Sequence, residues 1–164
     1  MKRIGIIGHM GGTEFFADGQ TVKVKSLVEA LGQYAPEIHL DIVDTYYAKK
    51  SPLKFIWSFL KCIAVDKKIV FFPATNSRKV LFPFFSYLGK VTGKEFYHDC
   101  IAGSMSKHLK ERPSWVKYLG SYSANWMESP EEVNAIRQMG LNNVSYMPNF
   151  KHLHPLTSDE LNSM

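Results

Sequence analysis

Cysteine is scarce in this chain: two residues in 164, Cys62 and Cys100, lie far apart and form no CxxC pair. A disulfide scaffold and a zinc ribbon are thereby excluded, and a reducing cytosol is the expected compartment. Long apolar runs are missing too. No stretch approaches the roughly 18 uncharged apolar residues of a membrane-spanning helix. The run after Lys2-Arg3 stops at Gly8-His9, far short of a secretory signal core. The phosphate-loop pattern GxxxxGK[ST] does not occur, and Gly8-x-x-Gly11-Gly12 is not GxGxxG, although Asp44 superficially suits a ribose contact. No internal repeat or low-complexity segment is present. Acidic residues are in deficit, 15 against 20 Lys and Arg, for a formal charge of +5. That surplus favours an anionic partner: a nucleotide-sugar, anionic lipid heads or nucleic acid, without choosing among them. No nucleic-acid motif accompanies it, so nucleic acid is not expected.

What is present is an alternation of strand and helix signals, which predicts α/β architecture with a parallel sheet covered on both faces. Residues 3–8 (RIGIIG) read as a buried strand and residues 9–20 as a loop with three glycines. Val24, Leu27, Val28 and Leu31 recur at i, i+3, i+4, i+7, predicting a helix over 21–31. Ile38, Leu40 and Ile42 alternate into a strand ending at Asp44. Ser51-Pro52 opens a helix to about Val65. Further strands are predicted at 68–72, 94–98, 122–127 and 143–147, with a helix over 77–90 that Pro83 must kink or shorten. Two short helices flank Arg112-Pro113, and Ser129, Pro130 and Glu132 form a capping-box start for a helix ended by Gly140. The expectation is one Rossmann-like, doubly wound domain of about six strands over 1–151, then a polar linker or tail over 152–164.

Three segments, in order, resemble the N-terminal domain of bacterial two-domain (GT-B) glycosyltransferases of the family-4 kind, which build surface polysaccharides. They are RIGIIGHMGGTEFFADGQTVKVKSLVEAL, FYHDCIAGS and WMESPEEVNAIRQMGLNNVSYMPNFK. The glycine pair followed by a DGQT-K-like run, the strand delivering polar residues to a loop, and the helix ending in glycine before "NV…PNF" carry the likeness. The resemblance implies an acceptor-binding half, with Pro148-Asn149-Phe150 leading towards a donor-binding domain that the sequence lacks. A nucleotide-sugar would then be held by that missing domain or a partner chain, with retention of configuration.

Candidate site residues follow from place and type. A strand–loop–helix turn aims backbone N–H groups and a helix N-terminus above the sheet, so Gly11, Gly12, Asp18, Gly19, Gln20 and Thr21 are expected to meet a donor phosphate or the acceptor. The plainer alternative is a tight turn that needs positive φ. His98 and Asp99 end the fourth strand, where open α/β sheets place ligands. They are the candidate catalytic pair, His98 bonding a sugar hydroxyl or supporting developing charge and Asp99 orienting it. The alternative is a histidine satisfying local backbone. Gly103, Ser104, Glu128 and Ser129 are expected on the same cleft rim, Ser129 also serving as a helix cap.

Between Lys49 and Lys68 stand six lysines and one acid. On a helical wheel Leu53, Ile56, Trp57, Leu60 and Ala64 form the stripe expected to pack on the sheet. Lys54, Phe55, Phe59 and Lys61 are left as a face suited to a membrane interface. The alternative is a helix broadly buried against the equally apolar run VLFPFF. Glu29 and Glu37 match the E-x7-E spacing of retaining enzymes, but that motif belongs to the donor domain. His152 and His154 are too few for a metal site, and neither metal nor cofactor is called for. The expected function is therefore binding of a lipid-linked saccharide acceptor at the cytoplasmic face of the membrane. The alternatives are a membrane-docking or partner subunit of a split transferase, and a generic nucleotide-binding Rossmann protein.

Overall fold

The computed structural model describes residues 2–14, 18–101 and 104–149. Six strands form one all-parallel sheet in the order β2-β1-β3-β4-β5-β6. They are β1 (Arg3–Gly8), β2 (His39–Asp44), β3 (Lys68–Phe71), β4 (Glu95–Asp99), β5 (Ala124–Met127) and β6 (Val144–Tyr146). The helices are α1 (Gly19–Tyr34), α2 (Tyr47–Lys50), α3 (Pro52–Val65), α4 (Arg78–Thr92), α5 (Met105–Glu111), α6 (Ser114–Leu119) and α7 (Pro130–Arg137). This is the expected Rossmann-like α/β fold. Among the described residues no helix is long and apolar enough to cross a membrane.

Alternation along the strands divides the core in two. Ile6, Val70 and Phe72 pack with Val24 of α1 on one face. Ile69, Phe71 and Phe96 pack with Phe82 and Phe85 of α4 on the other. β1 is followed in sequence by β2 on one side, while β3 lies on its other side. The order therefore reverses between β1 and β3, and the carboxyl ends of those strands make the usual ligand crevice of an open parallel sheet.

Several expectations need correction. Gly19 and Gln20 are not loop but, with Thr21, the first turn of α1, because Asp18 caps the helix, accepting from the Gln20 and Thr21 amides at 3.1 Å each. Pro83 does not shorten α4, which runs on to Thr92 and closes at Gly93 with φ +67°. The carbonyl that proline leaves without its usual helical donor belongs to Lys79. The capping box of α7 is half made. Ser129 Oγ accepts from the Glu132 amide at 3.2 Å, but the Glu132 carboxylate instead accepts from the amide and hydroxyl of Ser106 in α5, at 2.8 and 2.7 Å.

The largest correction concerns α3. Its sheet-facing side carries Cys62, fully buried, with Phe55, Phe59 and Ile63 packed against the core. Leu53, Ile56, Trp57 and Leu60, expected inside, are exposed. The expected membrane residues Phe55 and Phe59 are instead partly buried on that inward side. Phe59 lies 6.2 and 6.4 Å, ring to ring, from Phe84 and Phe85 of α4. Lys54 and Lys61 do lie at the surface, Lys54 Nζ standing 3.9 Å from the Tyr47 ring centre and Lys61 3.3 Å from Asp41.

Candidate functional site at the strand-order reversal

A cavity of about 410 Å³ opens between the carboxyl ends of β1 and β3. Ile7, Phe55, Phe71 and Leu81 make an apolar floor, while His9, Gln20, Lys49 and Ser77 supply polar groups. The side chains are held from several elements. Gln20, in the first turn of α1, donates Nε2 to the Phe72 carbonyl at 2.7 Å, tying that helix to the end of β3. His9 Nδ1 lies 2.7 Å from Thr21 Oγ1, whose hydroxyl donates to Asp18 at 2.6 Å. Those bonds lower the Asp18 carboxyl below its ordinary value against the opposing effect of burial. Such a pocket takes a ligand with an apolar part below and a hydroxylated or charged part above.

The glycine loop is not an open phosphate cradle. The amides of Met10 and Gly12 donate to the Asp44 carboxylate at 2.9 and 2.8 Å, and the Tyr46 amide adds a third bond at 2.9 Å. An internal carboxylate thus occupies the nest where an anion was expected, and repels a second. Gly11 and Gly12 have φ of +81° and +58°, and a Cβ on Gly12 would come within 2.6 Å of the Tyr46 ring. Close approach and a left-handed backbone account for the glycine at 12. The same bonds draw on both Asp44 oxygens, which accounts for this residue as a loop anchor without a ribose.

His98 is at the expected strand end but below the rim. It is fully buried, its ring centre 5.0 Å from that of Phe82 and 5.4 Å from that of Phe71. Its Nδ1 donates to Asn125 Oδ1 at 3.1 Å, while Asn125 Nδ2 donates to the Leu119 carbonyl at 3.0 Å. A ring with no exposed atom does not touch a saccharide, so the catalytic role expected of His98 is withdrawn in favour of a core role. Burial, reinforced by the positive charge of Arg78, pushes its pKa down to about 3. Unfolded histidine titrates near 6.5, so stability is full above that pH and is lost as pH falls towards 3. His98→Gln should remove this slope, at most about 1.4 kcal/mol per pH unit. Urea unfolding of both proteins at several pH values between 6.5 and 4 checks it, and parallel curves would refute it.

Asp99 does not orient His98. It points to the opposite sheet face and meets Lys23 of α1, Nζ to Oδ1 2.7 Å, in a nearly waterless pair with side chains 2% and 0% exposed. Glu128 joins at 3.3 Å from the same Nζ. Burial pushes the Asp99 carboxyl up to about 6 even though Lys23 pulls it down. Lys23, the lysine of the DGQT-K-like run, ties α1 to the ends of β4 and β5, a structural role that the run itself does not reveal. It lies beside the Val24 stripe, where a lysine ordinarily reaches solvent. Arg78, equally unforeseen, is buried at the start of α4 and donates Nη2 to the Ile101 carbonyl at 3.1 Å.

Of the remaining rim candidates, Ser104 precedes α5, Ser129 caps α7 and Glu128 serves the Lys23 pair. Gly103 lies outside the described residues. The structure thus brings Gln20 to the cavity with His9, buries Thr21 beneath them, and leaves His98, Asp99 and Ser129 in structural work. Lys49, Ser77 and the apolar floor were missed because they come from segments distant in sequence. Compared with known proteins, the chain matches no family model and no curated protein.

Proposed function

We propose that this chain is the acceptor-binding half of a two-domain sugar transferase, taking a lipid-linked saccharide in the crevice between β1 and β3. The observation that carries the reading is the cavity itself, with its apolar floor and its rim of His9, Gln20 and Lys49 at the carboxyl edge of a parallel sheet. The resemblance of three ordered segments to family-4 enzymes supports it. In this reading the nucleotide-sugar sits on a second domain or a partner chain. His9, Gln20 and Lys49 orient the acceptor hydroxyls, and closure of the two halves excludes water from the transfer. No step is assigned to His98.

Titrating the isotope-labelled chain with a short-chain lipid-linked monosaccharide, and separately with a uridine diphosphate sugar, tests the proposal. Amide shifts should cluster on His9, Gln20, Lys49 and Ser77 with the saccharide, and the free nucleotide-sugar should bind far more weakly. Tighter binding of the nucleotide would replace this reading with a nucleotide-binding Rossmann protein. A second reading, a docking module that recruits a separate catalytic chain, is favoured by the exposed apolar stripe on α3. It predicts no saccharide response.

A further inference from the structure

Charge is distributed unevenly over this molecule. Residues 46–94 hold ten of the 20 Lys and Arg side chains and one of the 15 acidic ones, Asp66. That stretch carries +9, so the rest of the chain carries −4 within the formal total of +5. Both Asp66 and Arg78 are buried, leaving lysine as the only charged residue type this segment shows to solvent.

The same segment exposes two apolar stripes. On α3, Leu53, Ile56, Trp57 and Leu60 follow i, i+3, i+4, i+7. On α4, Val80, Phe84, Tyr87 and Val91 follow i, i+4, i+7, i+11. Exposure of these eight runs from 41% at Phe84 to 84% at Leu53. The helices are neighbours on one face of the sheet, since Phe59 touches Phe84, so the stripes form one surface. At 100° per residue Lys54 and Lys61 border the α3 stripe, and Lys79 and Lys90 border the α4 stripe. Water-facing helices ordinarily show a polar outer side, so an apolar surface of this kind marks an interface.

We infer that the outer surface of α3 and α4 lies on an anionic bilayer, with Trp57 and its apolar neighbours at the headgroup–acyl boundary and the bordering lysines on the headgroups. Charge complementarity selects this occupant. Of the nine lysines, Lys50, Lys61 and Lys68 pair with Glu14, Asp41 and Glu95 from outside the segment, while Lys54, Lys79 and Lys90 on the stripe borders make no ion pair among the described residues and match a sheet of phosphates. A tryptophan among aliphatic side chains suits the interfacial layer. The inference holds whether or not the chain is a transferase.

Flotation of the full chain with vesicles of phosphatidylcholine containing phosphatidylglycerol, and with phosphatidylcholine alone, tests it. The chain should float with the anionic vesicles only. Trp57→Ser with Leu60→Ser should weaken binding at least ten-fold, without changing the circular dichroism spectrum or Tm, since both side chains are already exposed. Lys54→Glu with Lys90→Glu should do the same, each lysine contributing roughly five-fold near an anionic surface. High salt should release the wild type. Failure to float with anionic vesicles, equal flotation with neutral ones, or binding indifferent to all four substitutions would overturn the inference. So would light scattering that shows a dimer abolished by Trp57→Ser, which would assign the surface to a second copy.

Discussion

Replacing Lys23 with methionine should lower the unfolding free energy by about 3–5 kcal/mol at pH 7, the usual cost of stranding one partner of a buried ion pair. The Lys23 ammonium lies 2.7 Å from Asp99 and 3.3 Å from Glu128, and neither Lys23 nor Asp99 has water to fall back on. Methionine fills much of the same volume, so the loss reports the abandoned carboxylate rather than a cavity. The sign of the pH dependence follows. Asp99 has a folded pKa of about 6, above its ordinary value of 3.8, so its contribution is most favourable below 3.8 and is lost as pH rises through 6. Without Lys23 the carboxyl shifts further upward, and the penalty of Lys23→Met should shrink as the pH is lowered from 7 to 5. Lys23→Met combined with Asp99→Asn should recover most of the loss, since no buried charge remains between them. Urea unfolding of the single and double variants at pH 7 and 5 measures all of this. A Lys23→Met cost below about 1 kcal/mol at pH 7 would mean the pair is hydrated.

Gly5→Ala should cost about 2–3 kcal/mol, a large effect for one methyl group. A Cβ at that position would sit 2.4 Å from the Cys62 sulfur, with Asp66 Oδ2 at 3.2 Å and Ile69 Cγ1 at 3.3 Å closing the other sides. Neither β1 nor α3 can withdraw cheaply, because β1 is hydrogen-bonded to strands on both sides and Cys62 is held in a packed helix. Removing the sulfur should relieve the clash. Gly5→Ala with Cys62→Ala should therefore be less destabilised than the sum of the single variants by at least about 1 kcal/mol. Additive losses in thermal or urea unfolding would show that α3 does not lean on β1 through this contact.

Both predictions concern features absent from local pattern. The strands are legible because buried parallel strands read as short apolar runs, and β1 and β3 lie where RIGIIG and KIVF place them. α7 is legible because serine, proline and a following apolar period mark a helix start, and Ser129 caps it as read. α3 is legible as a helix, but its inward side is not. Apolar residues surround nearly its whole circumference, so the wheel offers two stripes of similar quality. What selects Cys62, Phe55 and Phe59 is the absence of a side chain at Gly5 and the rings of Phe84 and Phe85.

The candidate site shows the same division. Strand ends and glycines pointed to the carboxyl edge of the sheet, where the cavity opens, since a parallel sheet collects loops on that side. They did not reveal that Asp44, arriving from β2, fills the glycine loop, nor that Phe71 and Phe82 pack against the ring of His98. Depth below a rim depends on how tall the neighbouring side chains stand, and those neighbours come from other elements.

Composition, apolar period and cap residues were enough to specify an all-parallel α/β domain and a lysine-rich central segment, because these are properties of near neighbours along the chain. Which side of α3 is covered, which carboxylate meets Lys23 and which polar groups surround the cavity were settled by long-range packing. There, vacancies such as Gly5 and fixed distances between elements select among arrangements that local physics leaves almost equal in energy.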